Sequence, residues 1–353
     1  MTRAFNFGAG PAVMPEAVVS EAKENLLDYQ GTGLGVMEMS HRGKPYVELH
    51  EAASARIRAL LGAGDEWELL FLTGGASSQF YMVPMNLGAK PADYVVTGTW
   101  SEKALDEANK LGEGKVAATS ADTNFDRIPK RLQLTDGASY VHITSNNTIF
   151  GTQFREAPQT DAPLVCDASS DILSRPLKLE RYGLIYAGAQ KNLGPAGVTL
   201  VLVRKALLER CSDTLPTMLD YRTHAKKDSA YNTPPTFPIY MVGLVAKWIE
   251  DNGGLAAMEQ RNAAQAAKLY AAIDAHDLYQ GHAQVEDRSH MNVTFNLAEP
   301  ERESAFLEQA AERRLLGLKG HRSVGGIRAS IYNAMPDEGV DALVAFMAEF
   351  AKA

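Results

Sequence analysis

One short stretch near the middle of the chain, Tyr186-Ala-Gly-Ala-Gln-Lys-Asn-Leu-Gly-Pro-Ala-Gly197, constrains the fold more than any other. Two apolar runs, LIYA and VTLVLV, flank it, so Lys191 falls on a tight glycine-rich connection between buried strands. Such a place is costly for an ammonium group. A lysine held away from water has its charged form disfavoured and becomes an amine nucleophile, able to form a Schiff base with an aldehyde. A surface-turn lysine is the competing reading, and the stretch alone leaves the two even.

The rest of the chain bounds the choice. Its 353 residues, 45% hydrophobic and 22% charged, give an ordinary soluble globular composition, long enough for two domains. The net charge of -8, with no basic face or Lys/Arg run, argues against nucleic acid and membrane surfaces as partners. Cys166 and Cys211 form neither a disulfide framework nor a metal-ligand spacing, so no metal is expected. The first residues carry no signal-peptide pattern and no apolar run reaches membrane-spanning length, so the expected location is the cytoplasm.

In chain order, NFGAGPAVMPEAVV reads as a glycine-proline turn leading into a helix. Glycines at 31, 33 and 35 lack the Gly-x-Gly-x-x-Gly spacing of a dinucleotide loop and form a loop presenting His41 and Arg42, before an amphipathic helix from about Tyr46 to Leu61. From residue 68 strand-like runs alternate with helical patterns: ELLFL, a helix from Phe80 to Leu87, DYVVTG, a helix from Ser101, then YVHIT, PLVC, LIYA and VTLVLV. This predicts an α/β fold with a mainly parallel sheet covered by helices on both faces. After about Gly254 come an alanine-rich helix, the strand MNVTFNL, a helix around Ser304 to Leu316, the strand GGIRASIY and a helix from Val340. In MNVTFNL the apolar residues alternate with Asn292, Thr294 and Asn296, which predicts one exposed sheet face. The division expected is a large domain over 16–254 and a smaller α/β domain from 1–15 and 255–353.

Three further features sit at predicted strand ends. The run APLVC ends in Asp167, a poorly solvated carboxylate that wants a cationic partner such as a pyridinium nitrogen, although an Asp-Ala-Ser turn cap explains it as well. Between a strand and a helix, Gly74-Gly75-Ala76-Ser77-Ser78 offers free N–H groups and a helix dipole to an anion, without the lysine of a nucleotide P-loop. Trp100 follows DYVVTGT, where its ring can stack on a planar heterocycle. Phosphate turn, stacking ring, carboxylate and lysine together match the needs of pyridoxal 5'-phosphate.

The motifs NFGAGPA, MEMSHRGK, TGGASSQF, CDASSDILSRP, YAGAQKNLGPAG, YNTPPTFPIY and GHRSVGGIRASIYNA resemble those of the phosphoserine aminotransferases, class V members of the fold-type I pyridoxal-phosphate enzymes. The resemblance runs nearly end to end. It implies a large domain with a seven-stranded sheet, and Lys191 as Schiff-base lysine, Asp167 as pyridinium partner and Trp100 as stacking ring. It further implies that Ala76, Ser77 and Gln190 hold the cofactor phosphate and that Thr148 bonds the ring oxygen. Asn232 and Thr233 would reach the cofactor phosphate of a neighbouring subunit in a homodimer. His41, Arg42, His321, Arg322 and Arg328 would bind substrate carboxylate and phosphate. Ala9 and Ser77 stand where some members carry serine and arginine.

The activity so implied is amino transfer between L-glutamate and 3-phosphohydroxypyruvate, with 4-phosphohydroxy-L-threonine open as a second substrate. An acidic chain must then concentrate positive charge locally, which suits the adjacent His-Arg pairs. Sibling class V enzymes and a non-catalytic cofactor-binding module are the rivals. A cysteine desulfurase is disfavoured because Cys166 lies in a buried strand run.

Overall fold

The structure is a computed structural model and describes residues 3–88, 90–322 and 324–352. The chain opens with β1 (Phe5–Asn6), followed by the main-sheet strands β2 (Trp67–Leu72), β3 (Ala92–Val96), β4 (Gly114–Thr119), β5 (Val141–Thr144), β6 (Leu164–Asp167), β7 (Leu184–Gly188) and β8 (Thr199–Arg204). The spatial order is β2-β8-β7-β6-β5-β3-β4. Only β8 is reversed, antiparallel to both β2 and β7, and the remaining pairs are parallel. Since β2 opposes β8 and β8 opposes β7, β2 points the same way as the parallel strands. Six strands therefore deliver their carboxyl ends to one side of the sheet, the usual ligand side of such a fold.

Consecutive residues along these strands enter two different cores. Val95, Cys166, Ile185 and Leu202 face one side; Tyr94, Val165, Tyr186 and Val203 face the other. Both faces are buried, which is why the strands read as continuous apolar runs instead of alternating ones. The first face is covered by α2 (Lys44–Leu61) and α7 (Thr236–Asp251). On α2 the buried residues Tyr46, Leu49, Ala53, Ile57 and Leu61 repeat at helical spacing. The second face is covered by α3 (Gly75–Leu87) and α4 (Thr99–Leu111). Both begin earlier than the sequence suggests, so Trp100 lies in the first turn of α4. Strand β4 is a half-exposed edge with weak apolar character, so no apolar run marks it in the sequence.

The smaller sheet has the order β12-β10-β9, from β9 (Tyr279–Gly281), β10 (Asn292–Leu297) and β12 (Ile327–Ser330), all antiparallel. It packs with α8 (Gly254–Asp274), α9 (Glu303–Glu312) and α10 (Asp337–Phe350) around Phe295, Phe306, Phe346 and Phe350. α9 stops short of Leu316 because β11 (Leu315–Leu316) pairs in parallel with β1. Phe7 joins this third core, and on that basis we propose the division into 16–254 and 1–15 with 255–353.

The exposed face expected for β10 is a correction. Asn292 and Thr294 are buried and only Asn296 is exposed, because that face meets the main-sheet domain. Asn146 Nδ2 donates to Asn292 Oδ1 at 2.7 Å and Thr294 Oγ1 donates to the Phe150 carbonyl at 3.0 Å. Polar residues on a strand mark an interface here, not solvent. Among the described residues no helix is long and apolar enough to cross a membrane.

Candidate active site

Lys191 leaves β7 three residues after its last strand position and stands half-buried at the crevice. Its Nζ donates to Thr148 Oγ1 at 2.7 Å and lies 5.6 Å from the centre of the Trp100 ring. Although the residue keeps some surface, its amine is enclosed, and burial lowers its pKa to about 8; the charge of Asp167 pulls it up and that of Arg328 pushes it down. The surface-turn reading is thereby set aside.

Asp167 is the last residue of β6 and is buried. Its Oδ1 accepts the Ser169 backbone N–H at 3.0 Å and the Ser169 hydroxyl at 2.6 Å. The turn cap suggested by Asp-Ala-Ser is real, but it uses one carboxylate oxygen, and Oδ2 has no hydrogen-bond partner among the described residues. Burial raises the pKa of Asp167, opposed by Lys191 and by the Ser169 hydrogen bonds. A cation meeting Oδ2 would hold it ionised.

The N-terminus of α3 is built to leave amides free. Gly74 has φ 94°, a conformation that favours glycine, and no side chain caps the helix. Gly188, at the end of β7, faces it: a Cβ there would stand 3.4 Å from the Ala76 nitrogen and 2.9 Å from Gln190 Oε1. The missing side chain keeps room between the helix terminus and Gln190. Trp100 lies at the same crevice, its indole N–H buried without a partner among the described residues. Open amides, an orphaned indole N–H, a carboxylate with one free oxygen and a depressed amine are the donor set that pyridoxal 5'-phosphate requires, and the residues present fit it.

On the substrate side, Arg328 comes from β12, opposite Thr294 of β10, while Ile327 and Ala329 point into the small core. Its Nη1 reaches the Thr148 carbonyl at 3.4 Å, and its Nε is buried without a partner. His321 has its pKa lowered by burial and by the charges of Arg328, Arg322 and Lys103, so these cations share one region. Lys103, one turn along α4, also lies 4.8 Å over the Trp100 ring.

Four expected residues do not join Lys191 within one chain. His41 lines a separate cavity with Tyr46, His50 and Lys227. Arg42, Asn232 and Thr233 are exposed. Sequence reasoning missed Ser169 and Lys103. The first was visible as the second serine-turn position after Asp167, the second only as the i+3 neighbour of Trp100 on a helix.

The family described as Aminotransferase class-V matches residues 4–343. The chain is 57% identical over 355 residues to the phosphoserine aminotransferase of Geobacillus kaustophilus, covering 99% of each. It superposes on the solved phosphoserine aminotransferase of Bacillus circulans subsp. alkalophilus with a TM-score of 0.97 at 51% identity, covering 99% of each chain. The pyridoxal-phosphate-bound phosphoserine aminotransferase of Trichomonas vaginalis gives a TM-score of 0.94 at 41% identity, over 98% of this chain and 100% of that one.

Proposed function

The chain belongs to the class-V aminotransferase family, and on that premise we propose that it transfers the amino group between L-glutamate and 3-phosphohydroxypyruvate, giving O-phospho-L-serine and 2-oxoglutarate. Its cofactor is pyridoxal 5'-phosphate, which when bound supplies an aldehyde for amines and a ring that accepts electron density from the substrate Cα. One observation carries the reading: the depressed Lys191 amine shares its crevice with a buried carboxylate that has one oxygen open.

In this reading Lys191 Nζ would be the amine that holds the cofactor's aldehyde and, when free, would take and return the proton at the substrate Cα. Asp167 would hold the proton on the ring nitrogen through Oδ2. Trp100 would stack on the ring, and Thr148, already a partner of Lys191 Nζ, would bond the ring oxygen. The amides of Ala76 and Ser77, with Gln190, would hold the phosphate at the N-terminus of α3. Arg328, His321 and Arg322 bind the anionic ends of the substrate.

His41, Arg42, Asn232 and Thr233 find a role if a second copy of the chain completes each site. The exposure of Met37 at 58% and Tyr231 at 47%, near His41 and Asn232 in the chain, supports a homodimer.

The test is the absorbance of the purified protein before and after O-phosphoserine, with alanine and serine as controls. Loss of the lysine-bound cofactor band with phosphoserine alone, and release of the keto acid, is expected. Bleaching by alanine would assign a sibling transaminase. Lys191→Ala is expected to abolish turnover, and appreciable transamination by that variant would refute the assignment.

A further inference from the structure

The hydroxyl of Ser169 makes two contacts whose directions are forced. It lies 3.1 Å from the backbone N–H of Gly188, which only donates, so the Ser169 oxygen accepts there. The one hydroxyl hydrogen is then directed to Asp167 Oδ1, at 2.6 Å. With the Ser169 amide also on Oδ1 at 3.0 Å, that oxygen is saturated and Oδ2 is left to face the crevice. Both residues are buried, so water does not replace these bonds. Gly188 ends the strand that leads to Gln190 and Lys191, so the bridge also ties the carboxylate to the segment carrying the amine.

We propose that Ser169 is a positioning residue for the cofactor's ring nitrogen, fixing Asp167 so that Oδ2 is the oxygen presented to it. The proposal rests on the reading that pyridoxal phosphate sits over Asp167. Its neighbour Ser170 supplies the control. That residue is equally buried, but its hydroxyl donates to the Asn146 carbonyl at 2.9 Å and accepts from Asn146 Nδ2 at 2.8 Å, away from Asp167.

Four variants of the full chain separate the outcomes: Ser169→Ala, Ser169→Cys, Ser170→Ala and Asp167→Asn. Each is freed of cofactor and titrated with pyridoxal phosphate by absorbance, and the visible band of each reconstituted protein is then followed with pH. Ser169→Ala removes one of the two donors on Oδ1, the loss of a single hydrogen bond to a charged group, and should weaken cofactor binding about tenfold. With a weaker anionic partner the ring nitrogen is protonated less, so the lysine-linked nitrogen keeps its proton to higher pH. The band midpoint should therefore rise by about one pH unit. Turnover falls through kcat, with the KM for glutamate little changed.

Ser169→Cys keeps the volume and a weaker donor and should fall between parent and Ser169→Ala; it carries the test alone if the alanine variant does not fold. Ser170→Ala should leave the midpoint in place whatever it does to thermal stability. Parental midpoints and affinities in both Ser169 variants, with Asp167→Asn shifted, overturn the role of Ser169 and leave the cofactor reading intact. An unshifted Asp167→Asn overturns both.

Discussion

A lysine that titrates near neutrality leaves a distinct mark on how the protein captures its cofactor. With its pKa lowered to about 8, Lys191 is about one-tenth neutral at pH 7, half neutral at pH 8 and nine-tenths neutral at pH 9. The observed rate of reaction with pyridoxal phosphate should rise about fivefold from pH 7 to 8 and less than about twofold from 8 to 9. An ordinary lysine would rise about tenfold over each interval. The signs of two variants follow from the charges that act on the amine. Asp167→Asn removes the anion that pulls the value up, so its midpoint should fall; Arg328→Met removes a cation that pushes it down, so its midpoint should rise. Stopped-flow absorbance on cofactor-free protein reads all three. A tenfold rise per pH unit persisting to pH 9, or midpoints moving the opposite way, would show that burial does not set the reactivity of Lys191.

Three further outcomes test other parts of the structure. Gly188→Ala places a methyl 2.9 Å from Gln190 Oε1 and 3.4 Å from the Ala76 nitrogen, so cofactor affinity should drop about tenfold while the melting temperature falls by only a few degrees; a titration and a thermal melt separate the two. Phe306→Ala empties a fully buried position ringed by Phe295, Phe346 and Phe350, and urea unfolding should show a loss of about 3–5 kcal/mol. His321, held low by burial and by three cations, should gain a proton when a phosphorylated dianion arrives. A bound-state pKa above the free one means tighter binding as pH falls through the bound-state value, and calorimetry in buffers of different ionisation heat should record proton uptake.

What the sequence disclosed and what it withheld divide along a physical line. Lys191, Asp167 and the Gly74–Gly75 turn were legible because each is a local anomaly: a charge or a backbone conformation that its immediate neighbours do not explain. Their roles, and those of the other site residues, came largely from the family resemblance. What was hidden depends on packing between distant segments. The polar face of β10 looked like a solvent face, since alternation records only that a side chain is polar and not that Asn146 or the Phe150 carbonyl awaits it. Edge strand β4 lacks the double-sided burial that makes a strand conspicuous. Lys103 reaches the crevice only because α4 starts at Thr99, two residues before the position its apolar pattern suggests.

The distribution of charge explains how an acidic chain serves an acidic substrate. Most surface cations have carboxylate partners: Arg222 with Asp213 and Asp220, Arg288 with Asp274, Arg313 with Glu349. At the crevice the pattern reverses. Lys103, Lys191, Arg322 and Arg328 form no ion pair with a carboxylate among the described residues, and Arg328 keeps a buried nitrogen without a partner. Cations gathered without a paired carboxylate repel one another, Asp167 offsets this only in part, and burial of Lys191 and Arg328 adds to the cost, so in the ligand-free protein this region opposes folding. An anionic ligand removes that opposition. Occupancy at a hundred times the dissociation constant contributes about 2.7 kcal/mol of stability through mass action alone. The net charge of -8 therefore tells against general anion binding and not against this one, because attraction is set by charges within a Debye length, about 8 Å at physiological salt.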